Sequence, residues 1–205
     1  MDISLDHLGK QYGKHWIFEG VSAQFESGKR YAIIGSNGSG KSTLLQIISG
    51  YVSPNKGEIH YIQNGQQLPI EEWYKYQAIA APYLDLMEEF NVEETFLLHS
   101  KLKPLRKPFA EIISEIELQG HQDKSLSKLS SGMKQRIKLA LAIYSVSEVL
   151  LLDEPTSNLD RKWTQWFQET VLSNSADRLI ITCTNSQEQE LAICTEAPID
   201  LSAKS

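Results

Sequence analysis

A glycine-rich segment in the first quarter of the chain has the residue types and spacing of a phosphate-binding loop. It fits the pattern G-x4-G-K-[ST] and is followed by Thr43; its residues are Gly35, Ser36, Asn37, Gly38, Ser39, Gly40, Lys41 and Ser42. Glycines let the backbone curl so that successive N–H groups point inward, and the helix that follows adds its positive N-terminal end. The Lys41 ammonium can then reach the β- and γ-phosphates of a nucleotide, and the Ser42 hydroxyl can ligate Mg²⁺. An ordinary glycine-rich turn is the less favoured interpretation, because an apolar strand precedes the loop.

Two adjacent acids, Asp153 and Glu154, follow four apolar residues that begin at Val149. Parallel α/β sheets place their ligands at the carboxyl ends of strands. Adjacent side chains at such an end point differently, so one carboxylate can face a metal and the other a water. Taken alone, the segment is only a buried strand that ends in two acids. Downstream of a phosphate loop, it becomes a candidate part of a nucleotide site.

A third segment, Ser130, Ser131 and Gly132, offers hydroxyl groups and unobstructed backbone N–H groups at the positive end of a helix. The helix is predicted from apolar residues at helical spacing, namely Met133, Ile137, Ala140, Leu141 and Tyr144. Without the phosphate loop, a well-capped amphipathic helix would be the preferred interpretation.

The elements that must position these segments alternate between strands and helices. Apolar patterns predict strands at residues 21–26, 31–34, 149–152 and 178–183, a hairpin of 58–62 with 68–70 around Asn64-Gly65, and a helix at 162–172. The intervening stretch, roughly 85–147, is rich in Glu, Leu and Lys with helical spacing. This order predicts a parallel α/β core with a helical lobe inserted in it.

Composition excludes several classes of function. The net charge of −6 argues against a nucleic-acid surface, which needs clustered Lys and Arg. No run of about 18 apolar residues is present to span a membrane, and the N-terminus has acids where a signal peptide has basic residues. The two cysteines, Cys183 and Cys194, have no metal-ligand spacing. They predict buried thiols and a cytoplasmic protein.

The phosphate loop, the Ser130 helix start and the Asp153-Glu154 strand end, in this order, resemble the ATP-binding cassette (ABC) family. The resemblance covers nearly the whole chain. It implies an α/β fold with a P-loop NTPase core, a parallel sheet, an N-terminal antiparallel β subdomain and an inserted α-helical lobe. We therefore expect one domain over residues 1–205, with 1–84 and 148–205 as the catalytic core and 85–147 as the helical lobe.

In the family, the residue matching Asp153 helps to hold Mg²⁺, and the residue matching Glu154 is the general base that polarises the attacking water. A positioned base is typically worth about 10² to 10⁴ in rate. Tyr12 lies where the family places an aromatic residue stacked on adenine, although a lone tyrosine is more often ordinary packing. The resemblance thus implies ATP and Mg²⁺ as ligands.

The sequence LSSGM at residues 129–133 is similar to the family's LSGGQ, a helix start that binds the γ-phosphate of ATP held by a partner subunit. Ser130 and Gly132 match that pattern, whereas Ser131 and Met133 replace a glycine and a glutamine. Residues 157–160, which end in Asp160, match the family's D-loop at the dimer interface. The resemblance implies a head-to-tail dimer with a second cassette, the same chain or a paralogue.

Two residues expected from the family are missing. A glutamine that contacts Mg²⁺ and the attacking water should end the strand after the first sheet, where this chain has Ala81 or Pro82; Gln77 comes too early. A histidine that contacts the γ-phosphate should close the strand after the D-loop, where this chain has Asn185. Loss of one well-aimed donor costs about 10² to 10³ in rate. Because Asn185 can still donate a hydrogen bond, we expect a slow ATPase and not an inactive one.

The resulting hypothesis is an ATP-hydrolysing motor subunit that energises a separate membrane permease and lies on the inner face of the cell membrane. The alternative is an ATP-dependent dimerising switch or scaffold with little turnover. A ribosome- or DNA-associated cassette is disfavoured, because an acidic single cassette lacks the paired cassettes or long coiled coils of those relatives.

Overall fold

The computed structural model describes residues 1–185 and 188–202. Five of its strands form a parallel sheet in the order β6-β7-β8-β3-β9. These strands are β3 (Arg30–Ile34), β6 (Gln77–Ala80), β7 (Val149–Asp153), β8 (Leu179–Thr184) and β9 (Ile199–Asp200). Every residue of β7 and β8 is buried, as expected for central parallel strands covered on both faces. The predicted strands at 31–34, 149–152 and 178–183 are confirmed to within a residue.

The N-terminal sheet is antiparallel, in the order β2-β1-β4-β5. Its strands are β1 (Asp2–Tyr12), β2 (His15–Phe25), β4 (Lys56–Gln63) and β5 (Gln66–Gln67). The predicted hairpin around Asn64-Gly65 is confirmed, but its second strand is shorter and earlier than the predicted 68–70. Pro69 cannot donate to a strand ladder. It precedes the short helix α2 (Ile70–Trp73) instead.

The stretch from 85 to 147 contains the helices α3 (Val92–Leu102), α4 (Phe109–Glu115) and α5 (Ser131–Tyr144), with a 3₁₀ turn at Leu126–Lys128. Their apolar faces pack into one cluster that includes Phe96, Ile113, Ile137 and Tyr144. Helix α3 begins with a capping box, in which the Asn91 side chain accepts from the Glu94 N–H and the Glu94 carboxylate accepts from the Asn91 N–H.

Three further helices lie in the part of the chain that the structure describes: α1 (Lys41–Ile48), α6 (Arg161–Ser173) and α7 (Glu188–Leu191). Helix α6 confirms the helix predicted at 162–172. Among the described residues, no helix is both long and apolar enough to cross a membrane. The two sheets and the helices between β6 and β7 confirm the predicted α/β class.

Candidate nucleotide site

The glycine-rich loop joins the carboxyl end of β3 to the first residue of α1, Lys41. At Gly40 the backbone has φ 95°, and a Cβ atom there would lie 2.6 Å from Ile17 Cγ2 and 2.9 Å from Phe18 Cδ1. Any larger residue would therefore collide with β2 in addition to being strained. The antiparallel sheet and the loop that precedes α1 thus fit together only because residue 40 is glycine.

Lys41 is almost completely buried, with 5% of its surface exposed. Its ammonium donates to the carbonyl oxygens of Gly35 at 2.9 Å and Ser36 at 3.1 Å. The loop is thereby curled around its own lysine, with the N-terminal end of α1 directly behind it. An anion that enters here would meet both a buried cation and the positive end of a helix.

An open cleft of about 480 Å³ lies over the loop. Its lining brings together loop residues, the second acid of the β7 end and the residue after β8: Ile17, Asn37, Gly38, Gly40, Lys41, Ser42, Thr43, Glu154 and Asn185. These residues come from four separate parts of the sequence. The cleft is therefore a product of the fold, at the edge of the sheet where parallel strands end.

Asp153 ends β7 and is 1% exposed. Neither of its carboxylate oxygens accepts a hydrogen bond from any of the described residues. Burial raises the pKa of Asp153 to about 6; the Ser42 hydroxyl and the Lys41 ammonium oppose this rise, and Glu154 adds to it. A buried carboxylate with unpartnered oxygens beside a serine hydroxyl offers the hard oxygen ligands that Mg²⁺ prefers. The residues therefore fit the predicted ion.

Glu154 leaves the strand direction at once, with φ 44°. Its N–H donates to the Cys183 carbonyl at 2.9 Å, which holds this left-handed turn against β8. Its side chain lines the cleft, and its Oε1 accepts a hydrogen bond of 3.0 Å from Asn185 Nδ2. The two neighbouring acids are thus separated as the sequence suggested, with one buried and the other facing the cleft.

The predicted adenine-stacking residue, Tyr12, lies at the end of β1 with 49% of its surface exposed. Its ring is 5.1 Å from the Lys10 ammonium. The residue of this hairpin that lines the cleft is Ile17, on β2. Stacking of Tyr12 on a base remains a prediction.

The residues predicted to contact a partner's nucleotide gather around the loop between β7 and α6. Ser130 caps α5, because its hydroxyl accepts from the Met133 N–H at 3.2 Å. A Cβ atom on Gly132 would lie 3.1 Å from the Asn158 carbonyl oxygen, so glycine allows the start of α5 to approach this loop. Ser131 lines a second cleft with Asn158, and Asp160 caps α6 through the Trp163 N–H at 3.0 Å.

The structure describes the residues near the two positions where the resemblance predicts a glutamine and a histidine. Gln77 begins β6 and does not end it, and its Nε2 donates to the Ser49 carbonyl at 2.7 Å. Asn185 directly follows β8, which ends at Thr184. In this fold Asn185 therefore faces Glu154 from the neighbouring strand.

Sequence reasoning missed Glu190, which lies near the site. Glu190 on α7 is 1% exposed, and its Oε1 accepts from both the N–H and the hydroxyl of Thr156, at 2.9 and 2.6 Å. It therefore ties α7 to the loop that follows Glu154. No short-range pattern links residues that are 34 positions apart.

Comparisons with known proteins identify the family to which the chain belongs. The family described as ABC transporter matches residues 18–157. The uncharacterized ABC transporter ATP-binding protein YybJ of Bacillus subtilis is 30% identical over 196 residues, which are 94% of this chain and 89% of YybJ. The spermidine/putrescine import ATP-binding protein PotA of Legionella pneumophila is 33% identical over 203 residues, or 93% of this chain, which spans 54% of PotA.

A solved structure, the dimeric bacterial ABC transporter cassette MJ0796, superposes with a TM-score of 0.81 at 21% identity, over 98% of this chain and 95% of that one. This similarity establishes the P-loop NTPase fold of ABC cassettes. The family match extends over more than half of the residues, and the similarity to YybJ over nearly all of them. The chain therefore belongs to the ABC transporter family, as one of its ATP-binding subunits.

Proposed function

We propose that this subunit binds MgATP in the cleft over the phosphate loop and hydrolyses it, and that hydrolysis drives transport by a separate membrane permease. The observation that carries the proposal is the meeting of Lys41, Asp153 and Glu154 at one end of the parallel sheet. A cation for the phosphates, a buried acid for a metal and a second acid that faces the cleft are what phosphoryl transfer to water requires.

Each residue of the cleft has a role in this proposal. Lys41 exchanges the carbonyl oxygens of Gly35 and Ser36 for phosphate oxygens, and the remaining loop residues, Asn37, Gly38, Ser39, Gly40 and Thr43, surround the phosphates. Asp153 and Ser42 hold Mg²⁺, which offsets the negative charge of the phosphates when bound. Tyr12 stacks on the adenine.

Glu154 is the proposed general base. Its Oε1 is already held by Asn185, so the second oxygen can accept a proton from the attacking water. Asn185 supplies a neutral donor where the family has a histidine, and Ala81 or Pro82 supplies none where the family has a glutamine. We therefore propose slow turnover, reduced by up to about 10² to 10³ for a missing donor.

We further propose that two cassettes form a head-to-tail dimer. Ser130, Ser131, Gly132 and Asp160 surround the loop after β7, and none is among the residues that line this chain's own phosphate cleft. An arrangement in which they reach a nucleotide on a second chain is supported by the solved cassette that is described as dimeric.

A cleft of about 480 Å³ between β6 and helices α3 and α5 is the proposed site for the permease. Its lining is largely apolar and includes Ile79, Leu84 and Leu141. At its rim, Tyr74 and Leu102 are 65% and 79% exposed; apolar surface of this kind marks interaction sites. Such a complex places the subunit on the inner face of the membrane, with residues 1–205 as a single cassette of core (1–84 and 148–205) and helical lobe (85–147).

Steady-state hydrolysis of MgATP by the purified chain tests the proposal, with Glu154→Gln and Lys41→Ala beside it. We expect slow turnover in the unmodified chain. Glu154→Gln should lower it by about 10² to 10⁴ while ATP still binds, and Lys41→Ala should weaken binding itself. Absence of MgATP binding in the unmodified chain would contradict the proposal.

The second candidate is an ATP-dependent switch whose dimer opens and closes with little turnover. It is favoured by the two residues that the resemblance predicts and this chain lacks, a glutamine at Ala81 or Pro82 and a histidine at Asn185. Tight MgATP binding combined with turnover no faster than that of Glu154→Gln, with the permease present, would favour the switch.

A further inference from the structure

Tyr83 lies in the loop that follows β6, next to the metal end of the site. Parallel pairing sets Ala80 of β6 beside Leu152 of β7, so the chain leaves β6 alongside Asp153. The Tyr83 hydroxyl oxygen is buried and has no hydrogen-bond partner within the described residues. Burial raises the pKa of Tyr83, and the nearby Asp153 carboxylate raises it further. The hydroxyl is therefore neutral at physiological pH and remains a hydrogen-bond donor.

Buried polar atoms that have no hydrogen-bond partner among the described residues at this end of the sheet include the Tyr83 hydroxyl and both carboxylate oxygens of Asp153. Buried polar atoms are rarely left in this condition, and unsatisfied ones often mark a functional site. The Tyr83 hydroxyl and the Asp153 carboxylate form no hydrogen bond with each other, although the carboxylate contributes to the raised pKa of the hydroxyl. One bridging group with both donors and acceptors, such as metal-bound water, would satisfy them together.

We propose that Tyr83 is a positioning residue of the MgATP site. Its hydroxyl would donate a hydrogen bond to a water molecule on the Mg²⁺ ion, and Asp153 and Ser42 would hold that ion. This assignment rests on the proposed function. It gives the chain a polar contact at the end of β6, where the glutamine expected from the family is missing.

Residues that act on a metal through its bound groups typically contribute 10- to 100-fold to metal affinity or activity. The test is therefore the Mg²⁺ concentration that half-saturates ATP binding, measured by calorimetry in the wild-type chain and in Tyr83→Phe. We expect this concentration to rise about 10-fold or more in Tyr83→Phe, with ATP binding in the presence of excess EDTA unchanged. The control is Tyr76→Phe, which removes a phenol hydroxyl directly before β6, at the opposite end of that strand from Tyr83, and should behave as wild type.

The variant is isosteric and removes only an unpartnered hydroxyl, so the ligand-free protein should melt at or above the wild-type temperature. A purely structural role would predict the reverse, a lower melting temperature with unchanged Mg²⁺ dependence. If the half-saturating Mg²⁺ concentration of Tyr83→Phe lies within twofold of the wild-type value, the assignment of Tyr83 is overturned and the proposed function is not affected. Failure of the wild-type chain to bind MgATP would overturn the assignment together with the proposed function.

Discussion

Arg178 and Asp153 are both buried charged residues of the parallel sheet, but they lie at opposite ends of its strands. Arg178 precedes β8 and is 0% exposed; its guanidinium donates to the Ile143 carbonyl at 2.6 Å, to the Ala142 carbonyl at 3.4 Å and to the Ser147 hydroxyl. These carbonyls form the negative C-terminal end of α5. Asp153 has no such partner among the described residues.

This difference indicates that one end of the sheet stabilises the fold and that the other end binds a ligand. Burial lowers the pKa of Arg178 to about 10, so the side chain stays charged at neutral pH and the helix end compensates that charge. Burial raises the pKa of Asp153 to about 6, so its charge is costly until a cation arrives. The protein therefore stabilises one end by internal contacts and leaves the other for a ligand.

The largest expected effect is on stability, at the Arg178 end. Arg178→Ala removes the donors of two helix carbonyls and the Ser147 hydroxyl and leaves a cavity, so the free energy of unfolding should fall by about 3–5 kcal/mol. Urea denaturation measures this change. Arg161→Ala, at an exposed position at the start of α6, is the control and should change stability by less than about 0.5 kcal/mol. If Arg178→Ala lowers the free energy of unfolding by less than about 1 kcal/mol, the conclusion that Arg178 stabilises its end of the sheet would be wrong.

Asp153→Asn should have the opposite effect on the ligand-free protein. Because the folded-state pKa of about 6 lies above the ordinary 3.8, folding favours the protonated acid, and wild-type stability declines as pH rises between these values. The variant should therefore match wild type near pH 4 and exceed its free energy of unfolding by up to about 3 kcal/mol at pH 7.

Saturating MgATP should remove most of this difference at pH 7. Ligand at about 100 times its dissociation constant stabilises wild type by about 2.7 kcal/mol, a gain that Asp153→Asn should largely lose. Urea denaturation from pH 4 to 7, with and without MgATP, measures both effects. The exposed Asp123→Asn serves as the control. A pH-independent difference between variant and wild type would show that Asp153 carries no cost of burial.

The sequence predicted the binding end better than the structural end. The loop from Gly35 to Ser42 is one continuous segment, so its phosphate-binding chemistry can be predicted from the sequence without knowledge of the fold. The strands around it were predicted because fully buried parallel strands are continuous apolar runs. Asp153 and Glu154 were identified as candidates because they follow such a run downstream of a phosphate loop.

What escaped prediction depends on tertiary contacts or irregular backbone. Tyr83, Arg178 and Glu190 are ordinary residues in the sequence and become informative only through partners brought near by folding. Strand β1 was not delimited, because register shifts between Leu5 and Leu8 interrupt the alternation that identifies a strand. Strand β5 is only two residues long, too short for any periodicity to appear.

The smallest expected effect concerns Asn185, whose bond to Glu154 is a direct side-chain contact within the binding end. Asn185→Ala removes one neutral donor from the partly exposed Glu154 carboxylate. We expect the activation free energy of hydrolysis to rise by about 1.4 kcal/mol, which lowers kcat roughly tenfold. The effect is no larger because water can replace part of the lost hydrogen bond. Asn185→His should instead raise kcat, since an imidazole adds a donor that can carry charge. Both variants should retain wild-type unfolding curves, and single-turnover hydrolysis of MgATP measures the rates. If Asn185→Ala hydrolyses ATP at the wild-type rate, the orientation of Glu154 depends on its backbone turn against Cys183 and not on this hydrogen bond.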